Sequence, residues 1–167
     1  MRRPSNLKNK IISFAQLTAE SQRLQSEGKR IVATNGCFDI LHVGHVRYLA
    51  AAKAQGDVLV VGLNGDKSVR QLKGAGRPVN REQDRAEVLA AVESVDYVVI
   101  FPETRATKFL AAARPDVYVK GGDYTAETLD AAEREVLEKT GSKIEIIPFE
   151  PGYSTSELLE RIKACGS

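Results

Sequence analysis

Tryptophan is absent from this sequence, methionine occurs once, and the only cysteines among 167 residues are Cys37 and Cys165. Two cysteines outside any CxxC or Cys/His spacing exclude a disulfide scaffold and a structural zinc finger, and they fit a reducing cytoplasm. An excess of one charge is missing too. Lys+Arg 24 against Asp+Glu 22 leaves a net charge of +2, far from the basic surplus of a dedicated nucleic-acid binder, so DNA and RNA are not expected as partners. Long apolar runs are lacking. Ile11-Ile12 with Phe14-Ala15 is broken by Ser13, short of the roughly 7 to 15 residues of a signal-peptide core, and nothing approaches the ~18 residues of a membrane span. The expectation is a soluble cytoplasmic chain with no membrane partner.

What is present is enough for one core. The chain is 43% apolar, and a chain near this length buries about 70% of its unfolded surface, so no metal or disulfide staple is needed. Residues 1–12 are polar and basic with Pro4 and read as a flexible N-terminal arm. Residues 13–167 read as a single domain.

Ser13 and Gln16 have the spacing of a capping box, and Leu17, Leu24 and the closing Gly28 outline a helix over about 14–27. Apolar strand signals follow at 30–34, 58–63, 97–101, 117–119 and 144–147, with helical stretches at 45–55, 81–93 after a cap at Asn80, 104–113, 129–140 and 156–164. Strands alternating with helices imply right-handed crossovers and a parallel sheet. The runs VLVVGL and YVVIF are continuously apolar, as strands covered on both faces must be. The fold class is therefore α/β, a doubly wound, Rossmann-like, five-stranded parallel sheet with helices on both faces. Ligands in such folds bind beyond the carboxyl ends of the strands.

Both histidines of the chain, His42 and His45, lie in the loop after the first strand. The helix after them begins near Gly44, so its unpaired N–H groups and positive dipole end form an anion site into which two imidazoles can point. Gly36 and Gly44 remove bulk where a phosphate must approach the backbone. A triphosphate is the natural occupant. A zinc pair is the weaker alternative, since His-x-x-His is unusual on a helix and Asp39 or a remote residue would have to serve as third ligand. Cys37 has no partner motif for nucleophilic chemistry and suits a small apolar role in the turn.

Other phosphate motifs fail. Gly62-Leu63-Asn64-Gly65-Asp66-Lys67-Ser68 has an aspartate where a Walker loop needs its glycine-lysine junction. Gly74-Ala75-Gly76 lacks a third glycine, which disfavours a dinucleotide oxidoreductase. No GxSxG is present, so a triad hydrolase has no support.

Gly36-Cys37-Phe38-Asp39 followed by His42-x-Gly44-His45 resembles the signature of the HxGH nucleotidyltransferases, the cytidylyltransferase-like superfamily. Class I aminoacyl-tRNA synthetases share a similar histidine motif, but the chain is too short for one and contains no KMSKS. The likeness continues through Lys73 to Asn80, Asp84-Arg85, Val95-Asp96-Tyr97, Pro115 to Tyr124 and Tyr153 to Ser156, which resemble the heptose-phosphate adenylyltransferases. In many bacteria that activity is the C-terminal half of a two-domain kinase and adenylyltransferase. The resemblance covers about residues 10–165, and a kinase half is not part of it.

The resemblance implies transfer of AMP from ATP to D-glycero-β-D-manno-heptose 1-phosphate, giving ADP-heptose for lipopolysaccharide synthesis. In that scheme His42 and His45 hold the triphosphate and stabilise the α-phosphorus as it becomes five-coordinate. The sugar phosphate attacks in line and pyrophosphate leaves with Mg²⁺, bound mainly through the ATP phosphates. Lys73, read as lying in the loop after the second strand, bridges the attacking phosphate and the α-phosphate. Arg77 and Arg85 compete to clamp the incoming phosphate. Gly36, Cys37, Phe38 and Gly44 line the nucleotide, Lys120, Gly121, Gly122 and Asp123 flank the adenine, and Ser154, Thr155 and Ser156 receive the β and γ phosphates while capping the last helix. Asp39, Asp66 and Asn64 face the sugar, the two carboxylates as hydroxyl contacts or metal ligands through water. A homodimer is the oligomeric form the resemblance suggests. Two other functions stay open: a glycerol 3-phosphate cytidylyltransferase, disfavoured by Lys120 to Tyr124 and Tyr153 to Ser156, and a nucleotide-binding module without turnover.

Overall fold

The computed structural model describes residues 7, 9–122, 128–148 and 152–165. Along the chain run α1 (Phe14–Ser26), β1 (Ile31–Gly36), α2 (Val43–Lys53), β2 (Val58–Asn64), α3 (Asp66–Lys73), α4 (Glu82–Ala90), β3 (Tyr97–Phe101), α5 (Thr107–Ala113), β4 (Val117–Gly121), α6 (Ala131–Thr140), β5 (Lys143–Ile147) and α7 (Thr155–Cys165). The five strands form one parallel sheet in the order β3-β2-β1-β4-β5. The chain winds outward one way from β1 to β3 and then returns to the other side of β1. That reversal places the switch point between β1 and β4, where open α/β sheets bind ligands.

The sheet parts at this point. β1 pairs with β2 at six positions, from Ile31 opposite Val58 to Gly36 opposite Leu63, but with β4 only at Val32 opposite Val117 and Ala33 opposite Tyr118. Beyond Ala33 side chains take over the bridging. The Tyr48 hydroxyl donates to the Val119 carbonyl at 3.2 Å, and Tyr118 donates to Asn35 Oδ1 at 2.5 Å.

Each face of the sheet carries its own core. Val32, Leu59, Val61 and Leu63 pack with Leu49 of α2 and Leu89 of α4 on one side. Ile31, Ala33, Val60 and Val99 pack with Leu17 of α1, Phe109 of α5 and Leu137 of α6 on the other. This is the two-sided burial that continuous apolar strands require. At Gly62 a Cβ would lie 2.8 Å from the Phe109 ring, so glycine sets how closely α5 approaches β2.

The capping box at Ser13 forms as expected, with Ser13 and Gln16 each accepting the other's backbone N–H. Three expectations need correction. Segment 66–73, read as loop carrying Lys73, is α3. Its sequence DKSVRQLK buries only Ser68 and Val69, too few apolar positions to announce a helix, while Asp66 in the first turn and Arg70 and Lys73 in the last match the helix dipole. The N-cap of α4 is Arg81, not Asn80. Asn80 is spent elsewhere, donating from its backbone and side chain to Asp39. Finally, residues 9–12 do not hang loose beside the domain. Ile12 N–H donates to the Val98 carbonyl at 3.0 Å and Val98 N–H to the Lys10 carbonyl at 2.8 Å, Lys10 Nζ reaches the Val95 carbonyl, and Ile11 packs on the core. The exposed edge of β3 supplied hydrogen-bonding groups that a polar, extended segment could pair. Among the described residues no helix is long and apolar enough to cross a membrane.

Candidate active site

The turn from β1 into α2 is shaped by Phe38, whose φ of 40° is left-handed, and by Gly36, where a Cβ would stand 3.0 Å from the Phe38 ring. The chain then enters α2 with His42 as N-cap in extended conformation and no side-chain cap. An N-cap without a capping oxygen leaves the helix N-terminus open to an outside acceptor. The rings of His42 and His45 stack over it, their centroids 3.9 Å apart and their planes 29° from parallel. Phe38 backs His45 at 5.3 Å. Burial pushes His45 down to about 4, with repulsion from His42 adding to it, and burial also lowers His42. Both rings are therefore neutral at pH 7, and among the described residues the buried Nδ1 atom of each finds no hydrogen-bond partner. Buried polar atoms of this kind cost free energy until something fills the site.

Two cavities meet at His45. One, of about 450 Å³, is lined by His42, Gly44, His45, Arg47, Tyr48, Ala51, Ile147, Pro148, Tyr153, Ser154 and Thr155. The other, of about 660 Å³, takes in Asn35 to Phe38, His45, Tyr48, Asn64, Leu72, Lys73, Thr104, Arg105, Lys120, Gly121, Thr128, Asp130 and Glu133. Among the described residues, only His45 and Tyr48 border both. Tyr48 is the fixed wall, buried and bonded to Thr34 at 2.7 Å, with burial pushing its phenol up to about 12.

The residues singled out in the sequence are thus divided between the cavities. Gly44, Ser154 and Thr155 border the first, whereas Gly36, Cys37, Phe38, Lys120 and Gly121, grouped above around the nucleotide, border the second together with Lys73. Ser154 is also a cap, its Oγ accepting the Glu157 N–H at 3.1 Å. Gly122 and Ser156 border neither cavity, and Asp123 lies outside the described residues. Gly44 has a packing reason beyond phosphate approach, since a Cβ there would be 2.9 Å from Tyr153 Cβ and 3.1 Å from the His42 ring.

Five of the candidates for sugar or phosphate contact, Asp39, Asn64, Asp66, Arg77 and Arg85, are bound to one another or to the backbone. Asp39, 3% exposed, accepts from the Val79 and Asn80 N–H groups and pairs with Arg77 Nε. Its carboxylate therefore folds the 77–80 loop. Arg85, 2% exposed, donates to the carbonyls of Asn80, Cys37 and Asn64 and to Asp66 Oδ1 at 2.7 Å. One guanidinium thus joins the ends of β1 and β2 to the start of α3, which is a structural correction to its reading as a phosphate clamp: a fork already spent on four acceptors has little left to offer a ligand. Asn64 is buried and donates to Ser68 and to the Glu103 carbonyl. Among the described residues no group of three or more His, Cys, Asp or Glu could hold a metal ion.

The chain matches the family described as Cytidylyltransferase-like over residues 33–161. The chain belongs to the cytidylyltransferase-like family. Bifunctional protein HldE of Pelobacter propionicus is 48% identical over 158 residues, covering 95% of this chain and 31% of that protein. Bifunctional protein HldE of Citrifermentans bemidjiense is 49% identical over 154 residues, or 92% and 31%. The chain spans about a third of the length of these curated relatives. Among solved structures, the lipopolysaccharide core biosynthesis protein of Thermoplasma volcanium GSS1 superposes with a TM-score of 0.61 at 30% identity, covering 74% of this chain and 98% of that one. The pantoate-beta-alanine ligase of Francisella tularensis, at TM-score 0.55 and 16% identity over 87% and 68% of the two chains, shares the fold alone.

Membership of the cytidylyltransferase-like family makes the protein a nucleotidyltransferase. Several of its cavity residues escaped the reading of the sequence. Arg47, Tyr48 and Ala51 were missed, although with Gly44, already singled out, they fall at i, i+3, i+4 and i+7 of α2 and share the face bordering the first cavity, a periodicity that was available once the helix start was fixed. Arg47 lies over the Tyr153 ring, 5.6 Å from its centroid. Asn35 and Glu133 carried no comparable signal. Only the β1/β4 parting and the placement of α6 bring them together.

Proposed function

We propose that the protein transfers AMP from ATP to D-glycero-β-D-manno-heptose 1-phosphate, releasing pyrophosphate and forming ADP-heptose. The observation that carries the two-substrate reading is that His45 borders both cavities. The nucleotide occupies the first, its phosphates drawn to the α2 N-terminus, the stacked imidazoles and the hydroxyls of Ser154 and Thr155. The acceptor occupies the second, with its phosphate toward Lys73 and toward Lys120, which the resemblance put beside the adenine but which borders this cavity. The α-phosphorus then sits at the junction.

Each imidazole donates an N–H to the non-bridging oxygens as negative charge builds on the five-coordinate phosphorus. The phosphate oxygen of the acceptor forms the new P–O bond as the bond to pyrophosphate breaks, and no protein nucleophile is required. Lys73 neutralises the attacking phosphate so that two anions can approach each other. Mg²⁺ held by the ATP phosphates would supply charge neutralisation for the leaving pyrophosphate. The described residues offer it no cluster of protein ligands, and Asp39 and Asp66 are already engaged by Arg77 and Arg85.

Support for the adenylyl and heptose parts comes from the Lys120-Gly121-Gly122-Asp123-Tyr124 and Tyr153-Ser154-Thr155-Ser156 segments and from the 48% identity to HldE. The test is pyrophosphate release with Mg²⁺, crossing ATP and CTP with heptose 1-phosphate and glycerol 3-phosphate. Turnover confined to ATP with the heptose is expected. Turnover with CTP and glycerol 3-phosphate would overturn the substrates and keep the mechanism, and no turnover with any pair would leave a nucleotide-binding module.

A further inference from the structure

Glu133 is 5% exposed yet borders the larger cavity. It stands in the first turn of α6 and reaches across to α5, where its Oε1 accepts the Ala106 N–H at 2.8 Å. That bond fixes the carboxylate in place and occupies one of its two oxygens. Among the described residues no cation comes within ion-pair distance of it, although the neighbouring Asp130 is paired with Arg105 at 3.0 Å.

The N-terminal dipoles of α5 and α6 favour a carboxylate here, and the capping bond engages one of its two oxygens. A neutral amide or hydroxyl could accept one N–H without the desolvation cost of a buried anion. Lys120 attracts Glu133 from within the same cavity, but its Nζ bonds at 3.2 Å to Asn35 and at 3.0 Å to Tyr118. The cavity lining therefore carries both signs of charge, with cations at Lys73 and Lys120 and an anchored carboxylate at Glu133. Phosphate is attracted to the lysines and repelled by the carboxylate. The hydroxyl groups of a sugar can donate charge-assisted hydrogen bonds to a fixed carboxylate oxygen.

We infer that Glu133 is a specificity-determining residue for the acceptor, accepting hydrogen bonds from the hydroxyls of a polyhydroxylated sugar whose phosphate lies against Lys73 and Lys120. This rests on the two-substrate reading above. Glu133 sets which sugar phosphates fit and which way round they bind, and it takes no part in the bond exchange.

The experiment uses Glu133→Gln, which keeps an oxygen for Ala106 N–H and removes the charge. Initial rates are measured for the full chain with MgATP and heptose 1-phosphate, each varied in turn, and with deoxy analogues of the sugar phosphate. The variant is expected to show an acceptor KM raised about tenfold or more, as for loss of a charge-assisted hydrogen bond, with KM for ATP within about twofold and the unfolding midpoint unchanged. The analogue lacking the contacted hydroxyl should lose its disadvantage in the variant, a change that a capping role would not produce. An unchanged acceptor KM would overturn the inference, as would a joint rise of both KM values with a lowered midpoint. Wild-type protein that turns over no sugar 1-phosphate would overturn the proposed function and this inference with it, whereas normal wild-type turnover with an unaffected variant would remove Glu133 alone.

Discussion

His42 and His45 stack with ring centroids 3.9 Å apart at the start of α2, each with a buried Nδ1 that has no partner among the described residues. Two imidazoles this close resist being charged together, so the pair is neutral until an anion arrives. A triphosphate at the helix N-terminus reverses the balance by favouring the protonated forms. The pair is thus a set of donors whose strength grows with the negative charge placed before it.

His45→Ala should lower kcat by about 100-fold or more, some 3 kcal/mol, while ATP affinity changes little, as when one oxyanion donor is lost. Steady-state kinetics with equilibrium ATP binding separates the two. A rise in KM for ATP with kcat intact would make His45 a ground-state ligand.

Protonation also links His45 to stability. Its folded value of about 4 lies below the ordinary 6.5, so the unfolded chain binds the proton first. This contribution is complete above pH 6.5, declines as pH falls toward 4, and amounts to at most about 3 kcal/mol. Urea unfolding of His45→Gln should therefore depend less on pH between 7 and 4.5 than that of wild type. Parallel profiles would show that the ring is solvated.

Lys73→Ala is expected to raise acceptor KM and lower kcat by about tenfold or more, leaving ATP binding intact, because the lysine ends α3 at the border of the larger cavity and opposes the charge of the attacking phosphate. Initial-rate kinetics in both substrates checks this. Unchanged acceptor kinetics would make it a solvated helix-terminal lysine.

Arg85→Met should cost about 3 kcal/mol of folding stability by leaving Asp66 and three carbonyls without their donor. Thermal unfolding reads this directly. A stable variant whose only defect is acceptor binding would return Arg85 to the role of phosphate clamp.

The sheet was legible in the sequence because its strands are long apolar runs punctuated by Gly28, Pro115 and Gly141. The histidine loop was legible because both histidines fall within four residues at a strand-to-helix change. Helix α3 was not, since it buries little more than Val69 and its tertiary setting supplies what periodicity lacks. Asp39 was read in the loop after the first strand and Arg85 on the helix beginning near Arg81, but a sequence records only that a charge is there. Whether it faces a ligand or another charge depends on neighbours 40 or so residues away, such as Val79 and Asn80 against Asp39. Glu133 was invisible for the same reason: an acidic residue in the first turn of a helix is explained locally by the dipole, and its approach to Ala106 is set by how α6 packs on α5.

The parting of β1 from β4 after two paired positions has a consequence for how such a protein changes its chemistry. The junction of the cavities is marked by His45 and Tyr48 of α2, whose helix follows directly on β1, and β1 is held by its six-position ladder with β2. The walls of the larger cavity come from loops and helix starts at Thr104, Thr128, Asp130 and Glu133, which can be rewritten one at a time. Such a scaffold can exchange one acceptor for another while the meeting point of the two substrates stays where the sheet puts it.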